Sequence, residues 1–394
     1  MTLPALHTSH VLHPSELLTS QELSARHIPF SGLRYSTEAF IDYAIPACQP
    51  KYNYALIGPG VSQNAAQPVS LREPHGFQVG GVRIPHGKIN TPHMHFTCEV
   101  FICTRGDWRV QWGFNPAARE LDIGEGDLAS IPTWIYRGFT NIGADDGFLF
   151  TALGGDNTGG IVWGPSTLAA AGANGVYLRD DYQIIDTRRG DTLAPGEKTV
   201  LPMTAQEIAA LRDWPVAEMA QRVVRFADLR WSSQSLLDST LPGCGAQLAA
   251  AIGLGLNQDS EQLAPVMNAH GLSIEWLKIP PGGQVSRHRL FDKQVLITKV
   301  GNLRLTFETT EGESSFDLTG GAEGWDSFAL PAHCWRSIRN MGDTPALALL
   351  MTSGDHRKRI EWSDAVVQAA AGQDRALDAN GYVAPKRFVD RAQR

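Results

Sequence analysis

Two histidines and a glutamate, His93, His95 and Glu99, stand close enough in the chain to share one metal ion. Along an extended strand successive side chains alternate faces, so His93, His95, Thr97, Glu99 and Phe101 fall on one side. If that side looks into a barrel, two imidazoles and a carboxylate converge on one point. Such a set binds Fe(II) as a 2-His-1-carboxylate centre, or Zn, Mn, Ni or Cu. Arg137 carries equal weight. An arginine keeps its proton above about pH 12, cannot ligate a metal and repels a dication nearby. Two roles are open to it. In one, His93, His95 and Glu99 hold a metal while Arg137 forks onto a substrate carboxylate. In the other, Arg137 pairs with Glu99 inside the barrel and replaces the metal.

The elements that position these residues read as short strands. Glycine (39) and proline (23) punctuate runs of Val, Ile, Phe, Leu and Trp, the texture of a sandwich or barrel rather than of βαβ units. An internal repeat is legible as well. Ile84, Gly87 and His93 recur as Ile279, Gly282 and His288 at an offset of 195, and Glu99 falls on Gln294. Asp127, Pro132, Arg137 and Asn141 recur as Asp326, Pro331, Arg336 and Asn340 at an offset of 199. Two copies of one fold is the economical reading. Between them, Thr204 and Glu207 form a capping box ahead of a helix, Pro215 interrupts it, and a second helix is expected through VAEMAQRVVRFADL. A helix is also expected near Ser20 to Ala25, another over Trp362 to Leu377, and strands before Gln63 that cover a barrel edge.

The first copy reads Gly87, His93, His95, Glu99, Gly106, then Gly126, Pro132 and Asn141. This resembles the cupin family, with its motifs G-x5-H-x-H-x3,4-E-x6-G and G-x5-P-x-G-x2-H-x3-N. The first motif fits at every named position. The second has Trp134 in place of glycine and Arg137 in place of the third histidine ligand. Pro132 to Arg137 also resembles the P-x-W-x-W-H run of gentisate-type bicupin dioxygenases. The resemblance implies a mainly β chain of two jelly-roll barrels, often a metal-dependent dioxygenase, decarboxylase, lyase or isomerase. It spans about residues 70–155 and 265–355. The expected division is an N-terminal extension (1–65), barrel 1 with the site (66–170), a helical linker (171–264), barrel 2 (265–360) and a helical tail (361–394). Barrel 2 keeps His288 but has Leu290, Gln294 and Arg336 at the other ligand positions, so it reads as structural.

Other residues call for plainer roles. His86 belongs to a turn, and His333, at the position of Trp134, is not a ligand. Trp108, Val110 and Trp112 share a strand face and read as core. Tyr136 and Trp134 are expected to border the pocket, and Cys103 is a buried thiol. His7, His10 and His13 form a spaced terminal cluster.

Composition bounds the partners. The net charge is −7 with no run of Lys and Arg, which argues against nucleic acid. No run of 18 apolar residues suits a membrane span, and the first 20 residues lack a signal-peptide core. Five scattered cysteines with no C-x-x-C pair suit a reducing, cytoplasmic setting. A homodimer is expected from exposed sheet edges.

Three functions follow from these readings. The first is a non-haem Fe(II) bicupin dioxygenase acting on a small aromatic or hydroxylated carboxylate, with His93, His95 and Glu99 as ligands and Arg137 and Tyr136 beside the substrate. The second is a lyase, isomerase or cyclase with a redox-inert metal or none. The third is a non-catalytic module that binds an anionic metabolite.

Overall fold

A computed structural model describes residues 17–113 and 119–392. His7, His10 and His13 lie outside the described residues. The fold is mainly β, as the strand texture implies. In the first half two sheets face each other. One pairs, in order, Val223–Val224, Leu128–Ile131, Glu99–Arg105, Gly147–Gly154, Phe77–Ile84, Tyr52–Ile57 and Tyr35–Ser36. The other pairs Ile161–Trp163, Ile89–His95, Arg137–Asn141, Trp108–Trp112 and Glu120–Ile123. Between them lies an apolar core in which Trp108, Val110 and Trp112 point inward from one strand and are fully buried. In the second half, one 16-residue strand, Gln294–Thr309, pairs with Ala346–Ser353 through its first part and Arg336–Asn340 through its second. It joins both layers into one 11-stranded sheet around a second core. A third apolar cluster, with Val79, Val100 and Phe148 from the first half and Trp276, Val295 and Met351 from the second, binds the barrels together.

The repeat extends well before Ile84. Gly58, Gly60, Gln63 and Gln67 recur as Gly253, Gly255, Gln258 and Gln262 at an offset of 195. Further back, Arg26, Phe30, Leu33 and Arg34 recur as Arg222, Phe226, Leu229 and Arg230 at an offset of 196. These leading segments are exchanged between the halves. His27 and Ile28 pair with Phe328 and Ser327 of barrel 2, and Leu23 of the preceding helix sinks into the barrel 2 core. Reciprocally, Val223 and Val224 pair with Ala129 and Leu128 of barrel 1, and Met219 sinks into the barrel 1 core. Each exchanged strand covers a sheet edge that would otherwise expose unpaired backbone groups.

An aspartate anchors each exchange. The Phe226 N–H donates to Asp127 Oδ1 at 2.9 Å and the Phe30 N–H to Asp326 Oδ1 at 2.9 Å. Asp127 also accepts from Arg225 Nη1 at 2.7 Å. Its neighbour Gly126 has φ +90°, and a Cβ there would lie 2.6 Å from Cγ of Phe226, so only glycine fits. Asp127→Ala is therefore expected to cost about 1–3 kcal/mol by orphaning the Phe226 amide. It should also raise hydrogen exchange at Val223 and Val224 above that at His27 and Ile28. Unchanged exchange there would contradict the anchoring role.

The helix expectations fare unevenly. The capping box of Thr204 and Glu207 holds and starts Ala205–Ala209, and the helix expected near Ser20 to Ala25 is Ser20–Ser24, which the structure shows capped by Thr19 and Glu22. The helix expected through VAEMAQRVVRFADL is only Val216–Ala220, because the β-branched pair Val223–Val224 joins the sheet edge of barrel 1. Over Trp362 to Leu377, the helix is Asp364–Ala371 between the strands Ile360–Trp362 and Arg375–Leu377. No described helix is long and apolar enough to cross a membrane.

Candidate metal centre

The three candidate ligands do not share one strand. His93 and His95 end the strand Ile89–His95, the chain turns through Phe96–Cys98, and Glu99 opens Glu99–Arg105 in the facing sheet. The single-face expectation is corrected accordingly: Thr97 sits in the turn, and the carboxylate reaches the imidazoles from the opposite layer. The convergence itself holds. One ligand atom from each of His93, His95 and Glu99 lies within 4.8 Å of the others, and the residues are 4%, 2% and 5% exposed.

Backbone carbonyls fix both imidazole tautomers. His93 Nδ1 lies 2.8 Å from the Thr91 carbonyl and His95 Nδ1 3.2 Å from that of Gly160. A carbonyl only accepts, so each Nδ1 carries the proton and each Nε2 keeps its lone pair for a ligand. Glu99 is gripped on one oxygen. Arg137 donates from Nε at 3.1 Å and Nη2 at 2.8 Å, both to Oε2, which leaves Oε1 for another partner. Two neutral imidazole nitrogens and a free carboxylate oxygen form a donor set that fits a divalent cation. Arg137 is seen paired with Glu99, through Oε2 alone, so the pairing leaves a ligand oxygen free. Arg137 itself is 1% exposed, its Nη1 donates to the His93 carbonyl at 3.4 Å, and it does not line the cavity described below. Burial pushes the Glu99 carboxyl up and the Arg137 guanidinium down, while the bonds between them stabilise both charged forms. His93 is pushed well down by burial and then by the Arg137 charge, which keeps its ring neutral and ligand-ready.

Behind His93 lies a buried polar network with no local sequence motif. Lys51, 1% exposed, donates from Nζ to Asp42 Oδ1 at 2.6 Å and to Asn90 Oδ1 at 2.7 Å. Thr91, whose carbonyl holds His93, donates its hydroxyl to Asp42 Oδ2 at 3.3 Å. With its oxygen turned to Lys51, Asn90 presents Nδ2 toward the His93 ring, 3.4 Å from Nδ1.

The cluster opens into a cavity of about 720 Å³ of space free of protein atoms, its mouth included. The walls carry Asn53, Asn90 and Thr151 among aromatic residues such as Phe40, Phe139 and Trp163. Glu99 is the only acidic residue among them, and no Lys or Arg lines the cavity among the described residues. Tyr136 does not line it either. Its ring packs on Met94 and on Ile208 of the linker, and its hydroxyl donates to the Trp163 carbonyl at 3.5 Å. Trp134, 48% exposed, stands edge-on to Phe96 and also lies outside the cavity. Its φ of +57°, matched by +63° at His333, accounts for the glycine of the cupin motif at this point. Cys103 is buried, its thiol raised by burial.

The second half serves as an internal comparison. His288 keeps the arrangement of His93, with Nδ1 2.7 Å from the Ser286 carbonyl and a tryptophan ring at the same 5.5 Å. Arg336 donates to Gln294, an amide in place of the carboxylate. Where the first half has Asn53, Asn90, His95 and Thr151, the second has Leu248, Val285, Leu290 and Leu350, all in one apolar cluster.

No protein-family model matches the chain, and no curated protein matches it by sequence. Solved structures do. Oxalate decarboxylase from Bacillus subtilis at pH 4.6 is 16% identical with a TM-score of 0.51, over 93% of this chain and 84% of that one. An arginine-to-alanine variant of the same enzyme is 17% identical at a TM-score of 0.52, over 93% and 85%. The formate complex of Lactobacillus farciminis oxalate decarboxylase is 14% identical at 0.50, over 87% and 89%. Those proteins are bicupins, and at these identities the likeness establishes architecture: the chain has the bicupin fold, two cupin-type β-barrels on one polypeptide.

Proposed function

We propose that barrel 1 is a divalent-metal centre performing lyase-type chemistry on a small organic acid without consuming O₂, and that barrel 2 is its structural partner. The convergence of two imidazole nitrogens and one carboxylate oxygen, all on buried side chains, carries the reading. The structural neighbours are oxalate decarboxylases by name, which favours a lyase over an oxygenase. His93, His95 and Glu99 would hold the cation, which when bound supplies Lewis acidity toward a substrate oxygen. The chain's own residues do the rest. Glu99, gripped by Arg137 through Oε2, presents Oε1 as its ligand atom. Arg137 positions that carboxyl rather than the substrate. Phe139, Ile161 and Trp163 keep water from the centre.

The iron-dependent dioxygenase implied by the gentisate-type resemblance is the second reading. The 2-His-1-carboxylate donor set favours it, since non-haem Fe(II) oxygenases use that set. Elemental analysis of untagged protein beside His93→Ala decides the common ground. We expect about one metal per chain, lost in the variant, and metal absent from both proteins would end both readings. Incubation with small carboxylates under argon and under air then separates them. Turnover under argon is the expected result, and turnover only with matching O₂ uptake would overturn the lyase reading.

A further inference from the structure

We propose that the cavity of barrel 1 holds the carboxylate of its ligand on the backbone N–H groups of Val61 and Ser62, a subsite whose occupied form the second half of the same chain displays. The proposal rests on the reading of barrel 1 as the substrate-binding half.

The comparison begins at Glu275. This residue lies on the strand Leu272–Ile279, is 1% exposed, and turns its carboxylate onto a loop. The Leu256 N–H donates to Oε2 at 2.6 Å and the Asn257 N–H to Oε1 at 3.0 Å. One carboxylate thus satisfies two adjacent amides through both oxygens. Gly255 gives it room, because a Cβ there would land within the Glu275 carboxyl group.

In the first half the aligned positions and the strand register recur without the carboxylate, with Gly60 left-handed (φ +65°) where Gly255 is not. At the offset of 195, Gly60, Val61 and Ser62 stand for Gly255, Leu256 and Asn257, and Gly80 stands for Glu275. The register agrees, since Gly80 pairs with Ala55 and Thr151 just as Glu275 pairs with Ala250 and Leu350. A Cβ at Gly60 would meet nothing within 4 Å. Among the described residues no acceptor bonds the Val61 or Ser62 N–H. Both residues line the cavity that contains His93, His95 and Glu99, as does Gly80. Of the loop amides Gln78 Oε1 accepts only that of Gly60, at 2.5 Å, and its Nε2 donates to the Asp156 carbonyl at 2.7 Å. The loop thus brings two unbonded adjacent amides to the cavity of the candidate metal centre, at positions whose counterparts hold a carboxylate in the second half.

The charged surroundings differ between the halves. Arg357 and Lys358 lie near Glu275, and Thr158 and Gly159 stand at their places in the first half. The subsite in barrel 1 is therefore neutral, made of amide donors alone, and suits one carboxylate without a second charged group beside it. An organic acid with a carboxylate at one end and an oxygen function at the metal end fits this cavity.

The test observes the two amides directly. Uniformly ¹⁵N-labelled, deuterated full-length protein is titrated with acetate, propionate and glycolate, and in parallel with acetamide. We expect saturable shifts of the Val61 and Ser62 amide resonances with the carboxylates and none with acetamide. Gly80→Glu, which restores the internal carboxylate, should weaken binding about tenfold or more while metal content stays at the wild-type value. As a converse that does not depend on how that variant folds, acetate should raise the melting temperature of Glu275→Gly by more than that of wild type, which has only the barrel 1 subsite to fill. His93→Ala should keep the amide shifts, so a failure of metal binding and a failure of this subsite are separate results. Silent amides, equal response to acetamide, or no acetate rescue of Glu275→Gly would each overturn the proposal.

Discussion

Arg137→Met should lower the stability of the metal-free protein by about 3–5 kcal/mol at neutral pH, because it leaves Glu99 buried without a partner. Glu99 is 5% exposed and receives both of the guanidinium bonds that stabilise its charge. Methionine fills much of the vacated volume, so the loss is electrostatic rather than a cavity effect. The pH dependence has a definite sign. In the wild type the two Arg137 bonds oppose the upward push that burial exerts on the Glu99 carboxyl, and the variant leaves that push unopposed, so the carboxyl is raised relative to wild type. A group raised in the folded state contributes stability that is present below its unfolded value and is lost as pH rises. The deficit should therefore be small near pH 4.5 and grow toward pH 8. Urea midpoints in chelator at the two ends of that range provide the check, and a deficit that is flat with pH would refute the electrostatic account. Glu99→Gln makes the complementary case. It reproduces the Gln294–Arg336 pair that barrel 2 already tolerates, so the fold should survive while the carboxylate ligand is lost.

The contrast between those pairs shows what could be read from the chain and what could not. His93, His95 and Glu99 announced themselves through spacing, since a metal site needs those residue types close together. Their layout was misjudged because the turn Phe96–Cys98 carries no Gly, Pro, Asn or Asp to mark it. The repeat was legible from Ile84 onward, where motif residues anchor it. Its earlier part rests on sparse identities such as Arg26 with Arg222 and Phe30 with Phe226, and these occur at a slightly different offset. The exchange of leading strands was out of reach for a deeper reason. His27–Ile28 has the same local pattern whichever barrel it joins, and tertiary packing alone selects barrel 2.

The rest of the site was hidden because its residues are single polar exceptions in apolar strands. Asn53, Asn90 and Thr151 form no motif, and a glycine pair in a strand, such as Gly80–Gly81, more often marks a bulge or close backbone approach than a binding cavity. A signal did exist in the duplicate half. Setting Gly80 against Glu275, and Asn53 and Asn90 against Leu248 and Val285, separates the residues that open a cavity from those that keep a barrel packed. Tyr136 erred in the opposite direction. Its neighbours Pro132 and Arg137 suggest the pocket, but Tyr136 precedes the strand Arg137–Asn141 and its ring is buried against Met94 and Ile208.

Lys51→Met touches no ligand, yet it should affect both stability and the metal. Lys51 and Asp42 are 1% and 0% exposed, and loss of the ammonium leaves a buried carboxylate short of its main partner, at a cost of about 3–5 kcal/mol. The same ammonium holds the oxygen of Asn90, while Asp42 holds the Thr91 hydroxyl next to the carbonyl that fixes His93. Partners behind a ligand typically govern metal affinity by 10–100-fold, so a weakening of about that size is expected in competition with a chelator. The second half again supplies the comparison. Asp238 persists there without the lysine, Ala246 standing in its place, and one of its carboxylate oxygens has no hydrogen-bond partner among the described residues. That half has also lost the second histidine and the glutamate, as expected if Lys51 serves the metal centre more than the barrel. The double variant Lys51→Met with Asp42→Leu separates the two effects. It removes the unpaired charge and should recover most of the stability, but it cannot restore the hold on Asn90 and Thr91, so the metal should stay weak. Recovery of both together would mean that the network supports only the fold.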